Sequence, residues 1–251
     1  MFNKFFQKNT GKKSAGTLVQ SLSKFDIEVT VDEIIEGYQA IRFICSITND
    51  KSFNSVMALK RNLWLDLEVH SFLIDEIDDS NHKRFSVTIE QSSKRGVFSL
   101  ADAMKEFETD EARPLTVPLG ATLRKEVYSL DLGETGSMVV AGYTGSGKSV
   151  LFHSIINALL LQNKPEDLQL ILIDPKRVEL TLYSDIPYLH YPVEVLYDKS
   201  PDILRKMLLE IDRRLELFVK ASVEDINEYR KLEDGEKLPQ MVIIIDEFSD
   251  L

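Results

Sequence analysis

Gly142, Tyr143, Thr144, Gly145, Ser146, Gly147, Lys148 and Ser149 follow one another in the order G-x-x-x-x-G-K-[ST]. That is the spacing of a P-loop, whose backbone N–H groups cradle phosphates. A chance match in a chain of this length is roughly a 1% event at average residue usage. Glycine at 142 and 147 lets the backbone turn with positive φ and approach the phosphates closely. Lys148 is placed to reach the β- and γ-phosphates as a point charge, and the Ser149 hydroxyl to coordinate Mg²⁺. Tyr143, Thr144 and Ser146 occupy the variable positions, and their side chains carry no assigned role. A second signal lies about a hundred residues further on, where the apolar run Met241-Val242-Ile243-Ile244-Ile245 ends in Asp246-Glu247. An aspartate at the end of such a strand can hold Mg²⁺, and an adjacent glutamate can polarise a water for attack on phosphorus. A third is Leu170-Ile171-Leu172-Ile173-Asp174-Pro175-Lys176-Arg177-Val178-Glu179-Leu180. Here Asp174 and Lys176 stand at the carboxyl end of another apolar run, the edge where ligands bind in open α/β sheets. An ordinary strand exit with a local ion pair accounts for them equally well.

Elements must exist to hold these residues. Gly136 to Ala141 read as a short buried strand feeding the loop, and Val150 to Gln162 as the helix leaving it. A helix N-terminus there would add its dipole to the cradle. The runs 168–173 and 241–245 suit parallel strands buried on both faces. Ser200 and Pro201 read as the cap and first residue of a further helix, with Ile203, Met207, Ile211, Leu215 and Phe218 as its apolar stripe.

The earlier residues read differently. Ile41, Phe43, Cys45 and Ile47 alternate with Arg42 and Ser46 as in a half-buried strand. Ser52 caps an expected amphipathic helix carrying Phe53, Val56, Met57, Leu63 and Trp64. Leu67 to Ile74 and Phe85 to Glu90 read as strands about the acidic turn Asp75 to Asn81. Thr109 to Pro118, with two prolines, reads as a linker. The expected organisation is a polar basic tail over 1–18, a small α+β subdomain and linker over 19–112, and an α/β nucleotide-binding domain over 113–251.

Composition excludes several classes. The net charge of −11 argues against broad coating of nucleic acid, although Lys4, Lys8, Lys12 and Lys13 stand together without an acid. Cys45 is the sole cysteine, so no internal disulfide or cysteine metal site is expected. No apolar run approaches the ~18 residues of a membrane span, and the first residues lack a signal-peptide core. The expected location is the cytoplasm.

GYTGSGKS, IDPKRVEL, IPYL, IDRRLELF and VIIIDEFSDL, in this order, resemble the motor of FtsK/SpoIIIE-type DNA translocases. The likeness covers 113–251. It departs at Asp185, where the family has glycine before the Ile-Pro pair. The resemblance implies a RecA-like P-loop core, ATP and Mg²⁺ as cofactors, and a hexameric ring with nucleotide at subunit interfaces. Double-stranded DNA would be pumped through that ring, in chromosome partition or mobile-element transfer. Lys148 and Glu247 would be catalytic, 142–149 would bind nucleotide, and Ser149 and Asp246 would hold the metal. A neighbouring subunit would supply an arginine; Arg177, Arg213 and Arg214 qualify by charge. The chain stops at Leu251, five residues after Asp246, so a C-terminally truncated motor with an exposed sheet edge is the expectation. Two alternatives stand beside this reading: a related ATPase of protein secretion or conjugation, and a nucleotide-binding assembly module without turnover.

Overall fold

The computed structural model describes residues 14–69, 71–77, 83–90, 96–107, 113–143, 145–232 and 235–247. The chain divides into two units, one of Met1–Glu108 with Pro118–Leu130, the other of Thr109–Val117 with Asp131–Leu251.

The first unit is built on an antiparallel sheet of order β1-β2-β4-β3. Its strands are β1 (Val29–Glu36), β2 (Ala40–Ile47), β3 (Phe72–Glu76) and β4 (Arg84–Glu90). The alternation read in β2 holds: Ile41, Phe43, Cys45 and Ile47 are all buried. They meet Ile89, Val87 and Phe85 of β4 across the ladder, at Ile41↔Ile89, Phe43↔Val87 and Cys45↔Phe85. Side chains directly opposite on one face are the unit of sheet stabilisation.

Three helices supply the other side of this core. α1 spans 14–23 and buries Ala15, Leu18 and Leu22, at i, i+3 and i+7. The expected tail over 1–18 therefore ends too late, because its last residues already carry a helical apolar stripe; residues 1–13 lie outside the described residues. The single helix expected after Ser52 is two, α2 (Phe53–Ala58) and α3 (Lys60–Leu67), broken at Leu59. Only Val56 and Leu63 of the predicted stripe are fully buried, while Met57 and Trp64 face solvent. The strand expected from Leu67 starts instead at Phe72, because Leu67 still belongs to α3 and Glu68 caps it at φ 52°. Asp75 and Glu76 lie in β3, and the rest of the expected acidic turn falls largely outside the described residues. α4 (Leu100–Glu106) follows, capped by the Ser99 hydroxyl, which accepts from Asp102 N–H.

β5 (Thr116–Ala121) and β6 (Val127–Asp131) form a two-stranded ribbon. The expected linker is thus in part a strand, with Leu115 and Val117 buried, and its residues 109–112 lie outside the described ones. The boundary between the units falls within this ribbon, so residues 118–130 group with the first unit rather than with the expected 113–251 domain.

In the second unit β7 (Leu168–Ile173) and β8 (Gln240–Ile245) pair in parallel, from Leu168↔Gln240 to Ile173↔Ile245. Parallel bridges at Leu189 and Glu194 occupy the other side of β7. β7 is consequently central and nearly wholly buried. A short helix α5 (Leu132–Thr135) precedes α6 (Lys148–Gln162), which buries Ile155, Ile156, Ala158 and Leu159. α7 (Ser200–Ala221) lays Ile203 and Met207 against Ile171 and Ile173. Its cap is Lys199; Ser200 is the first helical residue, and its hydroxyl donates to Leu196 C=O. The predicted stripe is only half used, since Ile211 and Leu215 are about half exposed. A short α8 (Ile226–Tyr229) leads back towards β8.

One expected strand is missing. Residues 136–141 form no ladder, and Val139 is 93% exposed. A strand persists only where its N–H and C=O groups find partners. Among the described residues β7 pairs with β8 and with the two bridges, β8 pairs with β7, and 136–141 pairs with none.

Candidate nucleotide site

The loop after residue 141 turns as its glycines allow. Gly145 and Gly147 have φ of +82° and +100°, where a side chain would be strained. Gly142 acts differently from expectation: its φ is ordinary, and a Cβ there would stand 2.2 Å from Ser146 Oγ. The nearest obstacle to a side chain at 142 is thus the Ser146 side chain, not the backbone conformation. Ser146 N–H closes the turn onto Tyr143 C=O at 3.0 Å. Tyr143 is exposed, and Thr144 lies outside the described residues. Gly147 then caps α6 without a side-chain acceptor. The first-turn N–H groups and the positive helix end are left facing the loop, the arrangement that attracts anions.

Parallel pairing of β7 and β8 brings the acids to the same edge. Ile173 pairs with Ile245, so Asp174 and Asp246 leave the sheet side by side. Asp246 N–H continues the ladder to Ile173 C=O at 3.0 Å. Both aspartates are buried. Asp174 Oδ2 accepts from the N–H groups of Glu179, at 3.0 Å, and Leu180, at 2.8 Å. It thereby pins the loop after Pro175 and the single 3₁₀ turn Leu180–Tyr183.

Lys148 faces the end of β8. Its Nζ lies 3.2 Å from Asp246 Oδ1 and 3.6 Å from Glu247 Oε2. The first is an ion pair by distance, although Asp246 Oδ1 has no aligned hydrogen bond. The Asp246 carboxylate holds the Lys148 ammonium above the usual lysine range, with Glu247 adding to it and partial burial opposing it. Lys176 Nζ is 2.9 Å from the same Glu247 oxygen. Glu247 has φ of +57°, so the chain turns sharply as it leaves Asp246. All four predicted chemical residues, Lys148, Ser149, Asp246 and Glu247, thus belong to one unit and to one edge of its sheet. Residues 248–251 of the DEFSDL block lie outside the described residues.

One participant, Glu179 of the IDPKRVEL block, carried no assigned role in the sequence. Glu179 Oε1 accepts the Ser149 hydroxyl at 2.7 Å, and its other oxygen lies 3.4 Å from His153 Nε2. His153 Nδ1 is 2.9 Å from Tyr183 Oη, which also accepts from Asn157 Nδ2 at 3.1 Å. The available signal was Ser149, His153 and Asn157, a polar line at i, i+4 and i+8 on a largely apolar helix. The arginines are accounted for in part. Arg213 pairs with Glu210 and Glu236, and Arg214 with Glu210 and Pro239 C=O, whereas Arg177 is exposed on the loop after β7.

The FtsK/SpoIIIE family model matches residues 99–251, more than half of the chain. The chain belongs to the FtsK/SpoIIIE family. The DNA translocase FtsK of Campylobacter jejuni subsp. jejuni is 42% identical over 242 residues, covering 95% of this chain and 26% of that protein. The DNA translocase FtsK of Caldanaerobacter subterraneus subsp. tengcongensis is 32% identical over 240 residues, covering 95% of this chain and 34% of that protein. The chain thus spans about a quarter to a third of these FtsK relatives. Among solved structures, the pCW3 conjugation coupling protein TcpA, in monomer form with ATPγS, aligns with a TM-score of 0.51 at 20% identity. It covers 95% of this chain and 66% of TcpA, a likeness of fold. The mixed α/β architecture of a P-loop NTPase expected from the sequence is the one found. No described helix is long and apolar enough to cross a membrane.

Proposed function

We propose that this FtsK/SpoIIIE-family chain carries the nucleotide site of an ATP-driven translocase of double-stranded DNA, acting as a ring, hexameric by family resemblance, on the cytoplasmic side. The observation that carries the ATPase part is the meeting of Lys148 with Asp246 and Glu247, at 3.2 and 3.6 Å, beneath a loop shaped by Gly142, Gly145 and Gly147. DNA as the moved substrate is supported by the relatives named FtsK.

In this reading the backbone N–H groups of 143–149 bind the phosphates, and Lys148 exchanges its carboxylate contacts for β- and γ-phosphate oxygens. The donor set fits Mg²⁺: a hydroxyl, Ser149, and a buried carboxylate, Asp246, whose Oδ1 lacks an aligned hydrogen bond. When bound, the cation neutralises charge on the phosphate oxygens. Glu247 accepts the proton of the attacking water as its oxygen bonds to the γ-phosphorus and the bond to the β–γ bridging oxygen breaks. A glutamate at this position favours turnover over passive nucleotide binding.

The test is ATP hydrolysis by the full-length protein with and without linear double-stranded DNA. DNA should raise the rate, and Glu247→Gln should lower it about 10²–10⁴-fold in both conditions. Stimulation by a secreted polypeptide and not by DNA would overturn the DNA assignment in favour of a secretion ATPase. A fast Glu247→Gln enzyme would overturn the assigned base.

A further inference from the structure

We infer that Glu179 is a positioning residue for the Ser149 hydroxyl, directing it towards a divalent cation at the nucleotide site. The inference rests on the reading of 142–149 as a nucleotide cradle and adds to it a residue that the P-loop and Asp-Glu motifs do not contain.

A serine hydroxyl has one proton and two lone pairs. Here the proton goes to Glu179 Oε1 at 2.7 Å. Both lone pairs are then directed away from Glu179. A carboxylate acceptor also raises the electron density on the hydroxyl oxygen, as outer partners of metal ligands do.

Glu179 is itself held from two directions. Its backbone N–H is fixed at 3.0 Å by the buried carboxylate of Asp174, at the end of β7. Its other carboxylate oxygen faces a line of polar side chains on α6. Asn157 Nδ2–H donates to Tyr183 Oη at 3.1 Å, and Tyr183 Oη lies 2.9 Å from His153 Nδ1. His153 Nε2 lies 3.4 Å from Glu179 Oε2. Ser149, His153 and Asn157 lie along one face of α6, so the first turns of that helix and the loop after β7 are locked by a single carboxylate. A side chain so constrained sets the rotamer of its partner, and an outer partner of a metal ligand typically accounts for 10–100-fold in metal affinity.

The experiment titrates Mg²⁺ into the full-length protein holding a fluorescent ATP analogue, starting from excess EDTA. Each variant yields the affinity for metal-free nucleotide and the Mg²⁺ midpoint. Glu179→Ala should leave metal-free affinity within about twofold of wild type and raise the Mg²⁺ midpoint by about tenfold or more. Glu179→Gln keeps volume and an acceptor oxygen, and should give a smaller rise; it serves where the alanine variant is unfolded by circular dichroism. In a Ser149→Ala background Glu179→Ala should add little, because the two act through one hydroxyl. An unchanged Mg²⁺ midpoint would overturn the inference. So would a proportional loss of metal-free affinity, or full additivity with Ser149→Ala. A wild type that binds no nucleotide would overturn the cradle reading, and this inference with it, a result distinct from a wild type that binds with a normal Mg²⁺ response in Glu179→Ala.

Discussion

Asp174 joins the fold to the site, and its removal has a calculable cost. Its Oδ2 accepts two backbone N–H groups, from Glu179 and from Leu180, and its other oxygen has no hydrogen-bond partner among the described residues. Asp174→Ala leaves both N–H groups without an acceptor. An orphaned buried donor costs about 1–3 kcal/mol. The Glu179 N–H is part-buried and belongs near the lower end; the Leu180 N–H is buried and belongs near the middle. The sum is ~3 kcal/mol. Relief from desolvating the carboxylate, one of whose oxygens is unsatisfied, returns part of it, which leaves a net loss of about 2 kcal/mol. With a urea m-value of ~2 kcal/mol/M, the midpoint should fall by about 1 M. Asp174→Asn retains one carbonyl oxygen and loses only charge assistance, so it should fall by about half as much. The assay is hydrogen exchange followed by mass spectrometry across a urea series, read on β7 and on the 175–183 loop. Loss of protection should begin in the loop. An alanine variant within about 0.2 M of wild type, or an asparagine variant as unstable as alanine, would refute the capping argument.

Three further outcomes follow from the structure. Burial, with Asp32 adding to it, pushes the Cys45 thiol up to about 12; a thiol-specific chromogenic reagent at pH 8 should meet ~10³-fold less thiolate than in the unfolded chain, and rapid native labelling would contradict the packing of β2. Contact with Arg213, and then with Arg214, lowers the Glu210 carboxyl from its ordinary range to about 2. Stability from this pair is therefore complete above about pH 4.5 and lost as pH falls towards 2, so acid titration should destabilise wild type more than Glu210→Gln across that window; parallel curves would refute the pairing. Leu170→Ala, at a fully buried position of β7, should cost about 2–5 kcal/mol, read as a drop in the unfolding midpoint of the second unit; a change under 1 kcal/mol would mean that β7 is not central.

Much of this arrangement was legible because short-range patterns coincide with long-range burial. The alternation in β2 and the continuous apolar runs of β7 and β8 each announce how many faces are covered. The loop glycines and the acids after β8 carry their chemistry in their spacing. Other features depend on partners that no local pattern records. Residues 136–141 have the composition of a buried strand, yet no described neighbour pairs with them. Leu59 and Lys60 fit a helix interior, yet the chain breaks at Leu59 between α2 and α3, with Val56 and Leu63 buried on either side of it. Leu67 and Val69 suit either a strand or the end of α3, and packing against the first core decides between them. Glu179 stands in the IDPKRVEL block, but its role was not legible because it approaches Ser149 through a loop thirty residues away in sequence, pinned by Asp174.

Whether the cradle of Gly142 to Ser149 and the acids Asp246 and Glu247 act as one ATP-hydrolysing site is decided by a single comparison. The comparison is single-turnover conversion of radiolabelled ATP bound to the full-length protein, wild type against Glu247→Gln. Both should bind ATP with similar affinity, wild type should convert it to ADP, and Glu247→Gln should retain it intact at least about a hundredfold longer. Conversion by Glu247→Gln at the wild-type rate would contradict a single hydrolysing site.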